Sequence, residues 1–285
     1  GQRQTRQNEA PLQPILSQSV PTPRIFLAGC GYTGERCADF FYEAGNEVTA
    51  LVSSEESARR LAGKPYRVVA ADAADPGQLR TALSGQSSPD LLIHCLSGKD
   101  GRNPEAYRKV YCQTLHNLLE LLDPAFAVFT SSTSVYPQND ATEVDETSPT
   151  GGTPTGDILL EAEQLALQAG GAAVRLGGIY GPGRARFIEA ALAGQPLPFG
   201  APDAFINLIH RDDAAHALLH VASLRQPGIF NAVDDHPSRR DDLAASIRTG
   251  APTPVNRREI SSGKRVRNTK LRRTGWSPRY PSILD

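Results

Sequence analysis

The chain is poor in net charge. Thirty basic side chains face 31 acidic ones, leaving −1 over 285 residues, which gives no global electrostatic case for nucleic acid or an anionic membrane surface as partner. No apolar run reaches the length of about 18 residues that an ordinary transmembrane helix needs. Methionine does not occur, and tryptophan occurs once. The four cysteines, Cys30, Cys37, Cys95 and Cys112, form no C-x-x-C pair. They are read as reduced thiols of a cytoplasmic protein and exclude a disulfide framework. The six histidines are scattered and suggest no metal centre. The basic run from Lys264 to Arg273 lacks interleaved aromatics, so it reads as a solvated C-terminal helix and not as a nucleic-acid surface.

What is present begins at Arg24. Residues 1–23 are rich in Gln, Pro and Ser without a period, and are expected to be a flexible leader. Beyond them, short apolar runs (Ile25–Ala28, Glu47–Val52, Tyr66–Ala70, Leu91–Cys95, Ala125–Phe129, Ala172–Leu176) alternate with helical patterns (Glu35–Ala44, Ser57–Leu61, Gly77–Ser84, Tyr107–Leu122, Ile158–Ala169). Continuous apolar strands separated by amphipathic helices predict a doubly wound parallel sheet of the Rossmann type, with ligands at the carboxyl ends of its strands. A dinucleotide-binding core is expected over residues 24–177. After Gly177 the pattern loosens, and residues 178–285 are expected to form a smaller substrate lobe interleaved with the last strands of the core.

The first βα turn carries the strongest signal. Arg24 to Ala28 lead into Gly29-Cys30-Gly31-Tyr32-Thr33-Gly34, a G-x-G-x-x-G placed between a strand and a helix. In that context one glycine makes the tight turn, one lets the backbone approach a pyrophosphate, and one lets helix and strand pack closely. The anion would rest on the free N–H groups at the helix start.

Further motifs follow in order: Asp72 after the third strand, Ile93 to Gly98 after the fourth, Ser131-Ser132-Thr133-Ser134-Val135-Tyr136-Pro137 after the fifth, and Arg175 to Gly183 after the sixth. Asn207 to Asp213 and Leu271 to Pro278 complete the series. Together they resemble the extended short-chain dehydrogenase/reductases of the NAD-dependent epimerase/dehydratase group, over nearly the whole chain from Arg24 to about Tyr280. The similarity is greatest to an atypical branch whose members often lack the full catalytic set. Extended members usually read G-x-x-G-x-x-G, which would put the first glycine at Ala28; alanine is small enough to keep the turn.

The resemblance implies a cofactor site formed by Gly29, Gly31, Tyr32, Thr33 and Gly34, with Cys95, Leu96 and Ser97 beside it and Asp72 accepting from the adenine amino group. An acid that binds the ribose normally stands roughly 20 residues past the glycines. Here that place holds Ser53 and Ser54, whose hydroxyls, with Arg59 or Arg60, suit the 2′-phosphate of NADP; the expectation leans to NADP over NAD. A competing reading makes Ser53 and Glu56 a capping box for the next helix.

The resemblance also implies a Ser/Thr, Tyr and Lys acting together on the reacting oxygen, the last two sharing a helix face four residues apart. Ser132 fills the hydroxyl position. The other two positions hold Thr155 and Leu159, which supply neither a phenol nor a cation. Tyr136 is the substitute acid nearest in sequence. Arg175, Arg184, Arg186 and Arg211 are expected to bind a substrate phosphate or carboxylate; His210 is expected to border the same cleft, either as a further substrate contact or as a hydrogen-bonded structural histidine. Two functions stay open: an NAD(P)-dependent oxidoreductase of epimerase/dehydratase type acting on a small or nucleotide-linked polar substrate, or a dinucleotide-binding sensor that has lost its chemistry. By resemblance, the helices Tyr107–Leu122 and Ile158–Ala169 would form the face of a homodimer.

Overall fold

A computed structural model describes residues 22–98, 103–198, 200–252 and 262–285. Seven parallel strands form the central sheet: β1 (Arg24–Ala28), β2 (Glu47–Val52), β3 (Arg67–Ala70), β4 (Leu91–His94), β5 (Phe126–Ser132), β7 (Ala172–Leu176) and β11 (Gly228–Ala232). Their order is β11-β7-β5-β4-β1-β2-β3. The chain winds outward from β1 to β3 and then restarts on the other side at β4. The crevice between the carboxyl ends of β1 and β4 is therefore the switch point, where ligands bind in such sheets.

Side-chain alternation along the strands builds two cores. Ile25 and Leu27 of β1 and Leu91 and Ile93 of β4 face one side, packed by α1 (Tyr32–Glu43) through Cys37, Ala38 and Phe41. The neighbouring residues Phe26, Leu92, Ala127 and Phe129 face the other. That side is covered by α5 (Thr114–Leu122) and α6 (Pro154–Gln168). Shorter helices α2 (Glu55–Arg60), α3 (Pro76–Ala82) and α4 (Pro104–Arg108) complete the crossovers.

The segment read as one helix over Tyr107–Leu122 is in fact three pieces. Pro104 opens α4, a π-helical turn spans Lys109–Gln113, and α5 follows. The hydroxyl of Thr114 donates to the Val110 carbonyl at that turn, supplying a side-chain bond where the regular ladder is interrupted.

Beyond β7 the chain builds the lobe and returns to the core. The lobe holds β8 (Gly178–Tyr180), α7 (Arg186–Leu192), β9 (Phe205–Ile206), β10 (Leu208–His210), β12 (Ser238–Arg239) and α9 (Arg240–Thr249). Between them, α8 (Arg211–Leu224) packs beside α1, and β11 joins the edge of the large sheet next to β7. The basic run Lys264–Arg273 is not one helix. Arg265–Val266 forms β13, paired with β6 (Glu143–Val144), and only Thr269–Arg273 forms α10, whose Leu271 is fully buried.

Candidate functional site

The three glycines of the first turn do different work. The N–H groups of Gly29 and Cys30 both donate to the Leu51 carbonyl of β2 (3.0 and 3.3 Å), bending the chain sharply out of β1. Gly29 has φ +95°, and a Cβ there would lie 2.6 Å from backbone atoms of Cys95 and Leu96. A Cβ on Gly34 would lie 2.0 Å from the Gly29 carbonyl oxygen. Both positions therefore serve close packing of backbone on backbone. At Gly31 a Cβ would meet nothing within 4 Å. Gly31 faces a cavity of about 220 Å³ that Tyr32, Thr33, Cys95, Leu96 and Ser97 also line. Gly31 is the N-cap of α1 and has no side chain to satisfy the first-turn N–H groups. An unfilled glycine face beside an uncapped helix start suits a pyrophosphate, so these residues fit a dinucleotide.

The surroundings of the loop are less uniform. Arg60 donates to the Cys30 carbonyl at 3.0 Å and pairs with Glu35 at 2.6 Å, bracing the turn from outside. Ser54, and not Ser53, caps α2, its hydroxyl accepting from the Ser57 N–H at 3.2 Å. The capping box read at Ser53 and Glu56 is thus displaced by one residue, because the strand runs to Val52 and the helix starts at Glu55. Asp72 accepts from the Ala74 N–H at 2.9 Å and pairs with Lys109 at 3.2 Å.

Ser132 ends β5, and its hydroxyl accepts from the Ser134 N–H at 3.1 Å, capping a single 3-10 turn. It lines the cofactor-side cavity and also a second cavity of about 640 Å³ enclosed by the lobe. Ile179 and Arg184 line both as well.

Tyr136 and Arg175 do not reach either cavity. Tyr136 is 1% exposed, donating its hydroxyl proton to Asn231 at 2.8 Å and accepting from Arg175 at 2.9 Å. Arg175 forms a two-pronged pair with Glu163 (2.9 and 2.7 Å), and Ser131 donates to the same carboxylate at 2.6 Å. Strand alternation turns Arg175 inward, where its charge requires a buried partner; it belongs to a structural network and is not a substrate ligand. His210 likewise caps α8, accepting from the Asp212 N–H at 3.2 Å, with its ring against Tyr280. Burial lowers its pKa. Arg211 pairs with Asp212 and, like His210, lines neither cavity.

Arg184 lines both cavities. Its guanidinium stands 4.4 Å from the centre of the Tyr32 ring, whose hydroxyl donates to the Pro182 carbonyl at 3.0 Å. Leu159 lines the cofactor-side cavity, on the helix face where the resemblance calls for lysine. Two phenols escaped the sequence reading. Tyr107 and Tyr111, with ring centres 4.7 Å apart, line that cavity from α4 and the π-helical turn. Their i, i+4 spacing was the available signal. Burial pushes the Tyr111 phenol up to about 12. In the lobe, Arg240 and Lys264 were also missed and line the second cavity with Arg184 and Arg186. His216 and His220 stand four apart on α8, yet no group of three metal-ligating side chains assembles among the described residues. No described helix is long and apolar enough to cross a membrane.

The model of the NAD dependent epimerase/dehydratase family matches residues 25–232. Protein YeeZ of Escherichia coli K12 is 28% identical over 261 residues, covering 85% of this chain and 89% of its own. A structure from Methylobacillus flagellatus, titled as an NAD-dependent epimerase/dehydratase, is 27% identical at a TM-score of 0.76, covering 92% and 95%. MoeE5, solved with UDP-glucose and NAD, shares the fold at a TM-score of 0.69 and 18% identity, covering 92% and 95%.

Proposed function

The chain belongs to the NAD dependent epimerase/dehydratase family, and from that premise we propose that it is an NAD(P)-dependent oxidoreductase of epimerase/dehydratase type. Its substrate is a small or nucleotide-linked polar molecule. One observation carries this reading: Ser132, Ile179 and Arg184 line both cavities, so a dinucleotide on the glycine loop and a substrate in the lobe would meet at Ser132. A nicotinamide held there would supply hydride chemistry at a substrate carbon. The Ser132 hydroxyl donates to the substrate oxygen at that carbon and holds it in place.

The proton normally supplied by the helix phenol needs another source, since Thr155 and Leu159 offer none. Tyr111 is the candidate, because it lines the same cavity and its burial keeps the phenol protonated at neutral pH. Such a group suits the donor role during carbonyl reduction and is a poor base for the reverse step. The lean to NADP(H) rests on Ser53 and Ser54 in place of a carboxylate, with the exposed Arg59 on the following helix. A second reading, a dinucleotide-occupied sensor without turnover, draws on Leu159 lining the cofactor-side cavity.

Calorimetric titration with NADPH and then NADH tests the proposal. The expected result is one site per chain, tighter for NADPH, with both affinities unchanged in Ser132→Ala. Absence of binding by either nucleotide overturns both readings. Binding without any turnover on a panel of carbonyl and sugar-nucleotide substrates favours the sensor.

A further inference from the structure

Among the described residues three arginines are almost wholly buried, and they are not alike. Arg175 is locked to Glu163, and Arg239 is paired with Asp241 at 2.9 Å. Arg240, the first residue of α9, is 2% exposed, yet its Nε and Nη2 have no hydrogen-bond partner among the described residues. Its guanidinium lies 5.4 Å from the Phe187 ring centre and lines the lobe cavity. A buried guanidinium with unfilled donors destabilises the fold unless something supplies the acceptor.

The rest of that cavity repeats the asymmetry. Lys264 lines it and donates to the Tyr136 carbonyl at 2.6 Å, which leaves two of its three donors unaccounted for by that bond. Arg184 and Arg186 line the same space, and no Asp or Glu does among the described residues. Burial lowers the pKa of both Arg240 and Lys264, as expected of cations held without a counter-charge.

We propose that Arg240 and Lys264 form an oxyanion receptor in the lobe cavity, so that the substrate reaching Ser132 carries a carboxylate or phosphate group. This deepens the functional reading above and rests on it for the identity of the cavity as the substrate site. A planar guanidinium offers two parallel N–H groups to such an oxyanion, and the ammonium adds a compact positive charge. Neutral sugars would leave both cations unpaired and are rejected.

The test uses the full chain at constant ionic strength, titrated with inorganic phosphate, pyrophosphate and malonate, with glucose as neutral control. Thermal unfolding is followed in parallel. At least one anion is expected to bind saturably and raise the unfolding temperature, while glucose does neither. Phosphates alone would identify a phosphorylated substrate, and malonate alone a carboxylic acid. Arg240→Leu should raise the unfolding temperature of the anion-free protein and weaken anion binding at least about tenfold, the loss expected for a hydrogen bond to a charged group. Lys264→Gln should weaken binding in the same direction while keeping the fold.

Pyrophosphate can also occupy the glycine loop, so its binding is repeated in Gly31→Val, where lobe binding should persist. Anion binding equal in wild type and Arg240→Leu overturns the proposal, as does a fall in unfolding temperature in that variant, which would reveal a structural partner. NADPH binding reports separately: its loss with anion binding intact removes the cofactor reading and leaves the receptor.

Discussion

The two cavities that meet at Ser132 are built on different principles. One wall of the cofactor-side cavity is a single contiguous stretch, Gly31 to Gly34 at the start of α1, and residues from the ends of β4, β5 and β7 and from the helices line the rest. The lobe cavity is assembled from side chains of separate segments, around Ser132, Gly178–Ile188, Phe205–Leu208, Arg240 and Gly263–Lys264. The first offers N–H groups and helix polarity to any pyrophosphate. The second offers cations whose number and placement are particular to this chain. A backbone site defines what class of ligand it holds, whereas a side-chain site decides which substrate is accepted.

The contrast is sharpest between the paired arginine behind the first cavity and the unpaired one in the second. Removing the partner of Arg175 should therefore have the largest effect on stability. Glu163→Ala leaves the Arg175 guanidinium without a counter-charge and deprives Ser131 of its acceptor. A loss of about 3–5 kcal/mol in urea unfolding is expected, the usual result of breaking a buried pair. Arg240→Leu should move stability the other way. A cost below about 1 kcal/mol for Glu163→Ala, the range of an exposed pair, would return Arg175 to the substrate ligands.

Acid should act on the cofactor side. His94, at the end of β4 one residue before Cys95, is fully buried, and burial lowers its pKa from 6.5 to about 4. Because the Thr114 hydroxyl donates to Val110, it accepts from His94 Nε2 at 2.8 Å, which fixes the Nε2–H tautomer and leaves Nδ1 without a donor. The unfolded chain takes up a proton near pH 6.5, and the folded chain resists until about 4. The stability from this neutral histidine is therefore complete above pH 6.5 and falls as pH drops toward 4, by up to about 3 kcal/mol. His94→Gln should flatten that part of the pH–stability curve. An unchanged slope would mean that His94 charges freely in the folded state.

How much of this was legible in the sequence follows the same division. The six core strands stand within a few residues of where apolar runs put them, because a strand buried on both faces must be continuously apolar. The glycine loop was legible because Gly29 and Gly34 answer local backbone demands and Gly31 keeps the motif's spacing between them. Tyr136 and Arg175 were misplaced for the opposite reason. Their motif neighbours lie at the cleft, but one step along β7 reverses the side chain, and only the fold shows that Glu163 waits inside. Arg240 and Lys264 carried no local mark; α9 and the segment before β13 converge on one cavity only through tertiary structure. The π-helical turn was hidden because Tyr107, Tyr111 and Leu115 continue a helical period straight through it.

The last way to separate the two cavities is a single methyl-bearing side chain at Gly31. Gly29→Ala and Gly34→Ala should both destabilise the fold, because each new Cβ meets backbone at 2.6 and 2.0 Å. Gly31→Val has open space before it and should cost no more than the roughly 1 kcal/mol of a poorer N-cap residue, a shift of about 2–4 °C in unfolding temperature. It should nevertheless weaken NADPH at least about 100-fold, some 2.7 kcal/mol, because the isopropyl group takes the space a pyrophosphate needs against the α1 N–H groups. Binding of malonate in the lobe should be untouched. Equal NADPH affinity in wild type and Gly31→Val would put the pyrophosphate elsewhere, since no folding defect stands between the substitution and the measurement.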